Sequence, residues 1–402
     1  MEYIERHEYL EKLAGTINTE DIKVITGIRR CGKSSLMESF IVYIKKNIPR
    51  SNIIHINFND ISCENLSEYH ELNKYVLEHY ENELENFLLV DEIQLCKGFE
   101  KAINSLHNSK KFHIYITGSN AFLLSSDLAT LFTGRTFEIP VFPFSFAEYK
   151  SYFGGIDNEA LLSDYVKHGG MAGSFTYSTE QQKYRYIKDV FSALIIRDIK
   201  QKYKIRNTDL LEKLNHFLMD NISTEVSTQK LAKTLVSNQQ KANNKTIGSY
   251  LNYLCNAFAF YKVRRYDIRG KKYLASQDKY YLADHSFRYA ILGTKNMDFG
   301  RVYENLVCIE LLRRGYEVYT GVLYKKEIDF VAIKQSEKIY IQVSDDISSP
   351  GTLEREVTPL LSIKDAYPKV LIARTKHEKY LYEGIGIINL ADFLLNEGST
   401  VS

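Results

Sequence analysis

Residues Val24 to Leu36 read VITGIRRCGKSSL, an apolar run that turns through two glycines into a lysine and two hydroxyls. Gly27 to Ser34 fit G-x(4)-G-K-[ST], the spacing in which glycine backbone lets successive amides curl around phosphates while the lysine reaches the outer oxygens. The flanks agree with that reading. IKVIT before the loop reads as a buried strand, and SSLMESFIVYIKK after it repeats Leu36, Phe40 and Tyr43 at helical spacing. Strand, loop and helix is the order that phosphate binding requires. The residues expected to meet a nucleotide are Gly27, Ile28, Arg29, Arg30, Cys31, Gly32, Lys33, Ser34 and Ser35, with the Ser34 hydroxyl on Mg²⁺.

Such a loop needs an acid for the metal and a base for water. NFLLVDEIQ supplies the apolar run Phe87 to Val90 and then Asp91 and Glu92, as a buried parallel strand does when it delivers carboxylates at its carboxyl edge. Asp91 is expected to hold Mg²⁺ and Glu92 to polarise the attacking water. A further strand, FHIYITGSN, ends in Thr117, Gly118, Ser119 and Asn120, where Ser119 is the candidate sensor of the γ-phosphate, beside the plain alternative of a strand-to-turn exit. With NIIHINFND these segments predict an α/β, doubly wound P-loop domain over residues 1–150.

The bulk composition bounds the rest. A chain of 402 residues, 44% hydrophobic and 25% charged, is long enough for two or three domains. Its 52 basic and 50 acidic side chains leave a net charge of +2, so any nucleic-acid footprint must be local. Five widely spaced cysteines without a C-x-x-C pair argue against a disulfide framework or structural zinc and fit a reducing cytoplasm. MEYIERHEYLEKLAG lacks the apolar centre of a secretion signal, and no apolar run approaches ~18 residues. A cytoplasmic protein with no membrane segment is expected.

From residue 151 to 205 the pattern turns helical, with a Gly169-Gly170 break and the amphipathic QQKYRYIKDVFSALIIRDIKQKY, which predicts one helix within a helical lid. Between 206 and 292, STQKLAKTL begins after an N-cap at Ser227 or Thr228, and NNKTIGSYLNYLCNAF carries Ile247, Leu251, Leu254 and Phe258 on one stripe. FYKVRRYDIRGKKYLASQDKYYLAD then reads as a hairpin turning near DIRGKK. Helix, turn, helix and wing is a winged-helix pattern. DNA would meet Lys245 and the wing cations Lys262, Arg264, Arg265, Arg269, Lys271 and Lys272. The same module also serves elsewhere as a protein-docking unit.

In the last block, 293–402, the helix RVYENLVCIELLRRG places Glu304 on a stripe with Val307, Cys308 and Leu311, where a carboxylate needs a partner or a metal. EIDFVAIKQSEKIYIQVS reads as a hairpin; a loop over Lys334 to Glu337 pairs Ile333 with Lys338 and sets Asp329 opposite Gln342.

The strings GIRRCGKSSL, LLVDEIQ, ITGSNAFLLS, GRTFEIPVFPFSFAEY, HGGMAGS, IIRDI, KYYLAD and ENLVCIELLRRGYEV…EIDFVA…IYIQVS span nearly the whole chain. On them the chain resembles the AAA-superfamily ATPases of bacteria and archaea whose ATPase module is followed by a winged helix and a PD-(D/E)xK nuclease-like domain of the α/β restriction-endonuclease type. The resemblance implies ATP rather than GTP, and it gives Arg135 the role of a finger that reaches a neighbouring subunit's ATP, hence a homo-oligomer. The alternative for Arg135 is a surface ion pair. The resemblance also implies a nuclease-like site at Glu304, Asp329 and Gln342, but the E-x-K positions read Gln342-Val343-Ser344. A neutral amide holds Mg²⁺ weakly and serine supplies no cation, so a fold retained without cleavage is expected, with Lys325 and Lys326 the nearest substitute cations. The function expected first is a Mg²⁺-dependent ATPase acting on DNA. The alternative is a regulatory ATPase switch that docks protein partners.

Overall fold

The computed structural model describes residues 6–118, 132, 134–236, 244–270, 272–293, 298–324 and 326–396, with only the backbone of Arg197, 234–236 and 272–276. Ser119, Lys271 and Lys325 therefore lie outside the described residues, as does the Lys272 side chain. Contacts divide the chain into two units, Met1–Phe142 and Pro143–Ser402, where the sequence suggested four domains with a first boundary at 150.

In the first unit β1 (Ile22–Thr26), β2 (Ser51–Asn57), β3 (Glu85–Asp91), β4 (His113–Thr117) and β5 (Thr136–Pro140) form a sheet in the order β2-β3-β4-β1-β5. Every pairing is parallel. Parallel strands are covered on both faces, which explains why IKVIT and FLLV read as unbroken apolar runs. Ile22, Val24, Leu88, Val90, Ile114 and Ile116 are buried against Leu72, Ile103 and Leu106 of the flanking helices Tyr69–Glu78 and Phe99–Asn108. Each such side chain contributes about 1.5–3 kcal/mol by leaving water. Lys23 is the polar exception inside β1: it is fully buried, its ammonium donates to the Thr19 carbonyl at 2.7 Å, and burial pushes its pKa down to about 8. Because all five strands run the same way, their carboxyl ends share one edge.

The second unit opens with helices Phe146–Phe153, Asn158–His168 and Glu180–Ala193. The single helix expected after Gly170 instead changes winding at Leu194, and Leu194–Gln201 is a π-helix. Next come helix Thr208–Asp220, strand β6 (Glu225–Val226), helices Thr228–Val236 and Asn244–Asn256, and the hairpin β7 (Phe260–Asp267) and β8 (Lys272–Leu282). Ser227 is the residue that caps: its hydroxyl accepts from the Lys230 amide. After helices Ser286–Leu292 and Phe299–Arg313 the chain forms β9 (Glu317–Leu323), β10 (Lys326–Lys334), β11 (Glu337–Ser344), β12 (Lys369–Ala373), β13 (Tyr380–Tyr382) and β14 (Ile385–Asn389). Their sheet runs β13-β14-β12-β11-β10-β9-β7-β8-β6. Thus β7 pairs in parallel with β9, and the hairpin assigned to residues 206–292 is hydrogen-bonded into the sheet of residues 293–402. No helix among the described residues is long and apolar enough to cross a membrane.

The Gly169-Gly170 break has a steric cause. Asp284 accepts from the Gly170 amide at 2.7 Å and from the Ser286 amide at 2.8 Å. A Cβ on Gly170 would stand 2.1 Å from the Phe144 carbonyl oxygen. Gly170→Ala is expected to lower stability by about 2–4 kcal/mol in denaturant unfolding. Gly248 lies within helix Asn244–Asn256 with nothing within 4 Å of its Cβ position, so Gly248→Ala should be neutral or stabilising by up to about 1 kcal/mol.

Candidate functional site

The loop after β1 turns on three left-handed residues, Gly27 (φ 143°), Arg30 (φ 62°) and Gly32 (φ 99°). Gly32 is the N-cap of helix Lys33–Asn47 and offers no side-chain cap, so the helix's first amides keep their donors for an anion. The Lys33 side chain is buried and its ammonium donates to the carbonyls of Gly27 at 2.8 Å and Ile28 at 3.1 Å. Those are neutral acceptors, which a phosphate oxygen outcompetes. The Ile28 and Cys31 side chains point into the core, so of these two only the backbone faces the loop's interior; Ser34 is half-buried, while Arg30 and Ser35 are exposed.

The strand order sets β4 between β1 and β3, so Thr117 at the end of β4 separates the loop from Asp91. The Thr117 hydroxyl donates to Asp91 Oδ1 and accepts from the Glu92 amide at 3.2 Å. Asp91 is buried, and Glu92 sits at φ 55°, a costly conformation for a residue with a Cβ, with its Oε2 accepting from Gln94. An ion with oxygen ligands fits these donors. Ser34 lies in the first turn of the helix after the loop and Asp91 ends β3, so these elements carry the hydroxyl and carboxylate oxygens that would hold such an ion. Thr117 was named in the sequence only as part of the strand end. Arg6 carried no signal: its buried guanidinium donates to the carbonyls of Cys31 at 3.1 Å and Phe142 at 3.0 Å.

Arg135 lies elsewhere. Its carbonyl accepts from the Ile22 amide at the amino edge of the sheet, roughly 16 Å of strand from the loop at ~3.3 Å per residue. Its exposed guanidinium donates to Asn108 Oδ1 at 2.8 Å.

In the second unit the β10–β11 register pairs Ile333 with Lys338 and Phe330 with Ile341, as the sequence implies. Asp329 Oδ2 accepts from the Val343 amide at 2.8 Å, and Gln342 Oε1 accepts from the Asp329 amide at 3.3 Å. Glu304 is turned to Lys279 at 3.0 Å and Tyr281 at 2.6 Å rather than to an open site. Lys326 donates to the Ser362 hydroxyl at 2.8 Å. On the hairpin, Lys262 is paired with Asp278 at 2.7 Å and Arg265 with Glu225 at 3.2 Å, whereas Arg264 and Arg269, like Lys245 of helix Asn244–Asn256, are exposed.

Residues 19–150 match the AAA domain family AAA_14, and residues 159–298 match a domain of unknown function, DUF8612, which runs across the boundary expected at 205. The chain is 38% identical to an uncharacterized protein of Haemophilus influenzae over 98% of both chains. It is 30% identical to Uncharacterized protein MJ1544 of Methanocaldococcus jannaschii over 84% of this chain and 77% of that one. The chain belongs to the family of these two proteins, and its first unit carries an AAA domain. A replication initiator DnaA bound to AMPPCP and single-stranded DNA overlays 63% of this family member and 89% of its own chain, at 15% identity and a TM-score of 0.32, too loosely to carry function.

Replacing Lys33 with Ala should abolish tight ATP binding, whereas Glu92→Gln should bind ATP and stop turnover. Thr117→Val leaves Asp91 and the Glu92 amide without their shared partner and should cut turnover about 10- to 100-fold with binding retained. Nucleotide titration beside steady-state turnover separates the three outcomes.

Proposed function

We propose that this family member is a cytoplasmic Mg²⁺-dependent ATPase that couples nucleotide state in its first unit to the second. The observation that carries the reading is the convergence at one sheet edge of an uncapped helix N-terminus, a lysine held only by carbonyls, and Thr117 joining Asp91 to Glu92. The helix amides and Lys33 offset the phosphate charge, Ser34 and Asp91 hold the ion, and Glu92 takes the proton of the attacking water. In the second unit we read the helices of 151–205 as a lid, 206–292 as a winged helix and 293–402 as a nuclease-like fold without cleavage. Helix, β6, two helices and the β7–β8 hairpin support the second of these. Five free cysteines, all described, support a reducing compartment.

DNA is the partner proposed first, through Lys245, Arg264 and Arg269. A specific observation favours a second reading, a switch that docks a protein: Asp278 and Glu225 neutralise two of the wing cations, and β7 lies inside the sheet between β8 and β9. Duplex, single-stranded and branched DNA should each be added to the turnover assay. Stimulation by any of them supports the first reading, and a flat response across the panel rejects it in favour of the second.

Arg135 is proposed as a group offered to another copy, since in its own chain it stands at the far edge of the sheet. Arg135→Ala and Lys33→Ala chains should each be inactive alone and recover turnover when mixed, because some interfaces then keep both parts. Mixed oligomers that stay inactive would assign Arg135 to its bond with Asn108 alone.

A further inference from the structure

Three carboxyl groups of the second unit gather around one ammonium. Lys279 of β8 donates to Glu304 Oε1 at 3.0 Å and to Glu327 Oε1 at 2.8 Å, and its side chain is 5% exposed. Glu304 belongs to helix Phe299–Arg313, Glu327 and Asp329 to β10, so one side chain draws three elements together. Tyr281, two residues further along β8, adds its hydroxyl to the same Glu304 oxygen at 2.6 Å. Burial and then the nearby Glu304 push the Asp329 carboxyl well above its ordinary range, and burial raises Glu304 as well. Burial alone would lower Lys279, but Glu304, Asp329 and Glu327 outweigh it and hold the ammonium above its ordinary range.

A divalent ion does not fit these residues as they stand. Among the described residues no three His, Cys, Asp or Glu groups are arranged to hold a metal. One Glu304 oxygen already accepts two donors, Asp329 Oδ2 accepts the Val343 amide, and Gln342 Oε1 accepts the Asp329 amide at 3.3 Å. An ion of charge +2 would also have to share these carboxylates with a buried ammonium that repels it.

We infer that Lys279 is the resident cation of this cluster, standing where the nuclease resemblance puts a divalent metal, so that the second unit holds its carboxylates together without any ion. The inference rests on the nuclease-like reading of Glu304, Asp329 and Gln342. It assigns the missing lysine charge to a strand outside the E-x-K hairpin, and it makes the charge structural: two of the ammonium's three donors are committed to carboxylates within the cluster. Lys279 is a positioning residue, fixing β8 against helix Phe299–Arg313. The same join is made independently by Asn305, whose amide side chain donates to the Leu282 carbonyl at 3.0 Å and accepts from the Leu282 amide at 2.7 Å. That second fastening is the reason to expect Lys279→Met to fold.

The test is Mn²⁺ binding, followed by electron paramagnetic resonance, on the full chain carrying Asp91→Asn to silence the nucleotide site. This parent should take up no Mn²⁺ at the cluster, and adding Lys279→Met should create one site at least about 10-fold tighter than any parental binding, because the carboxylates then lack their cation. Adding Asp329→Asn to that variant should remove the site again. A parental site that disappears in Asp329→Asn overturns the inference while leaving the nuclease-like reading standing, and this comparison needs no Lys279 variant. A folded Lys279→Met chain that gains no site overturns both.

Discussion

The loop that would receive phosphate is held in shape by backbone atoms pressed against the end of β5. A Cβ on Gly27 would lie 2.1 Å from the Val141 carbonyl oxygen, so the loop packs against that segment only because residue 27 has none. The Val141 amide in turn donates to Thr26 at 2.7 Å, and Arg6 spans the Cys31 and Phe142 carbonyls. The Phe142 amide closes the set by donating to the Tyr9 hydroxyl at 3.2 Å. A loop fixed in this way holds its shape before any anion arrives, and a helix N-terminus fixed in advance is a more effective charge receptor than a floppy one. The constraint reaches further than the loop. Phe142 is the last residue of the first unit, tied through both its amide and its carbonyl, so a shift of the loop bears on the point where the chain leaves for the second unit.

The two units handle buried charge in opposite ways. In the first, the Lys33 ammonium rests on neutral carbonyls, a weak arrangement that costs little to break when a stronger acceptor enters. In the second, the Lys279 ammonium rests on carboxylates at comparable distances, and breaking that arrangement would strand buried charges at a cost of several kcal/mol. The same residue type is therefore available for binding in one place and committed to structure in the other. The difference is set by the charge of the acceptors: neutral carbonyls release an ammonium more readily than carboxylates do.

What the sequence made legible was local. The β1 strand, glycine loop and following helix are contiguous, the β3 strand carries its acids at its own end, and the β10–β11 register follows from a short turn between two apolar runs. What stayed hidden depended on partners far along the chain. That Thr117 is a group beside Asp91 turns on strand register, here Val90 against Ile116, which puts the two chain ends level. Arg6 meets carbonyls 25 and 136 positions away, and Lys279 meets a carboxylate 25 positions away across an expected domain boundary. The parallel pairing of β7 with β9 is equally silent, because each strand's alternation is satisfied by either a free wing or a sheet interior. The π-helix at Leu194–Gln201 keeps an amphipathic pattern close enough to the α period that spacing alone does not reveal the change.

These long-range contacts also change how the hairpin's charge is to be weighed. Counted along the sequence, the stretch from Lys262 to Lys272 holds six cations. Folded, Lys262 and Arg265 face acidic partners, while Arg264 and Arg269 on the hairpin and Lys245 on the preceding helix are exposed. Each phosphate contact contributes nearly one unit to the salt dependence of binding, so three such contacts give a weak, salt-sensitive hold at physiological ionic strength. Among the described side chains, a single chain therefore presents few exposed cations on this hairpin, with those of Lys271 and Lys272 lying outside them. Several chains side by side would multiply the hold, because linked sites gain effective concentration without any new contact. The DNA reading and the oligomer reading thus support each other: binding of nucleic acid through the hairpin would be strengthened by the assembly that a trans-acting Arg135 requires, whereas docking to a protein needs neither.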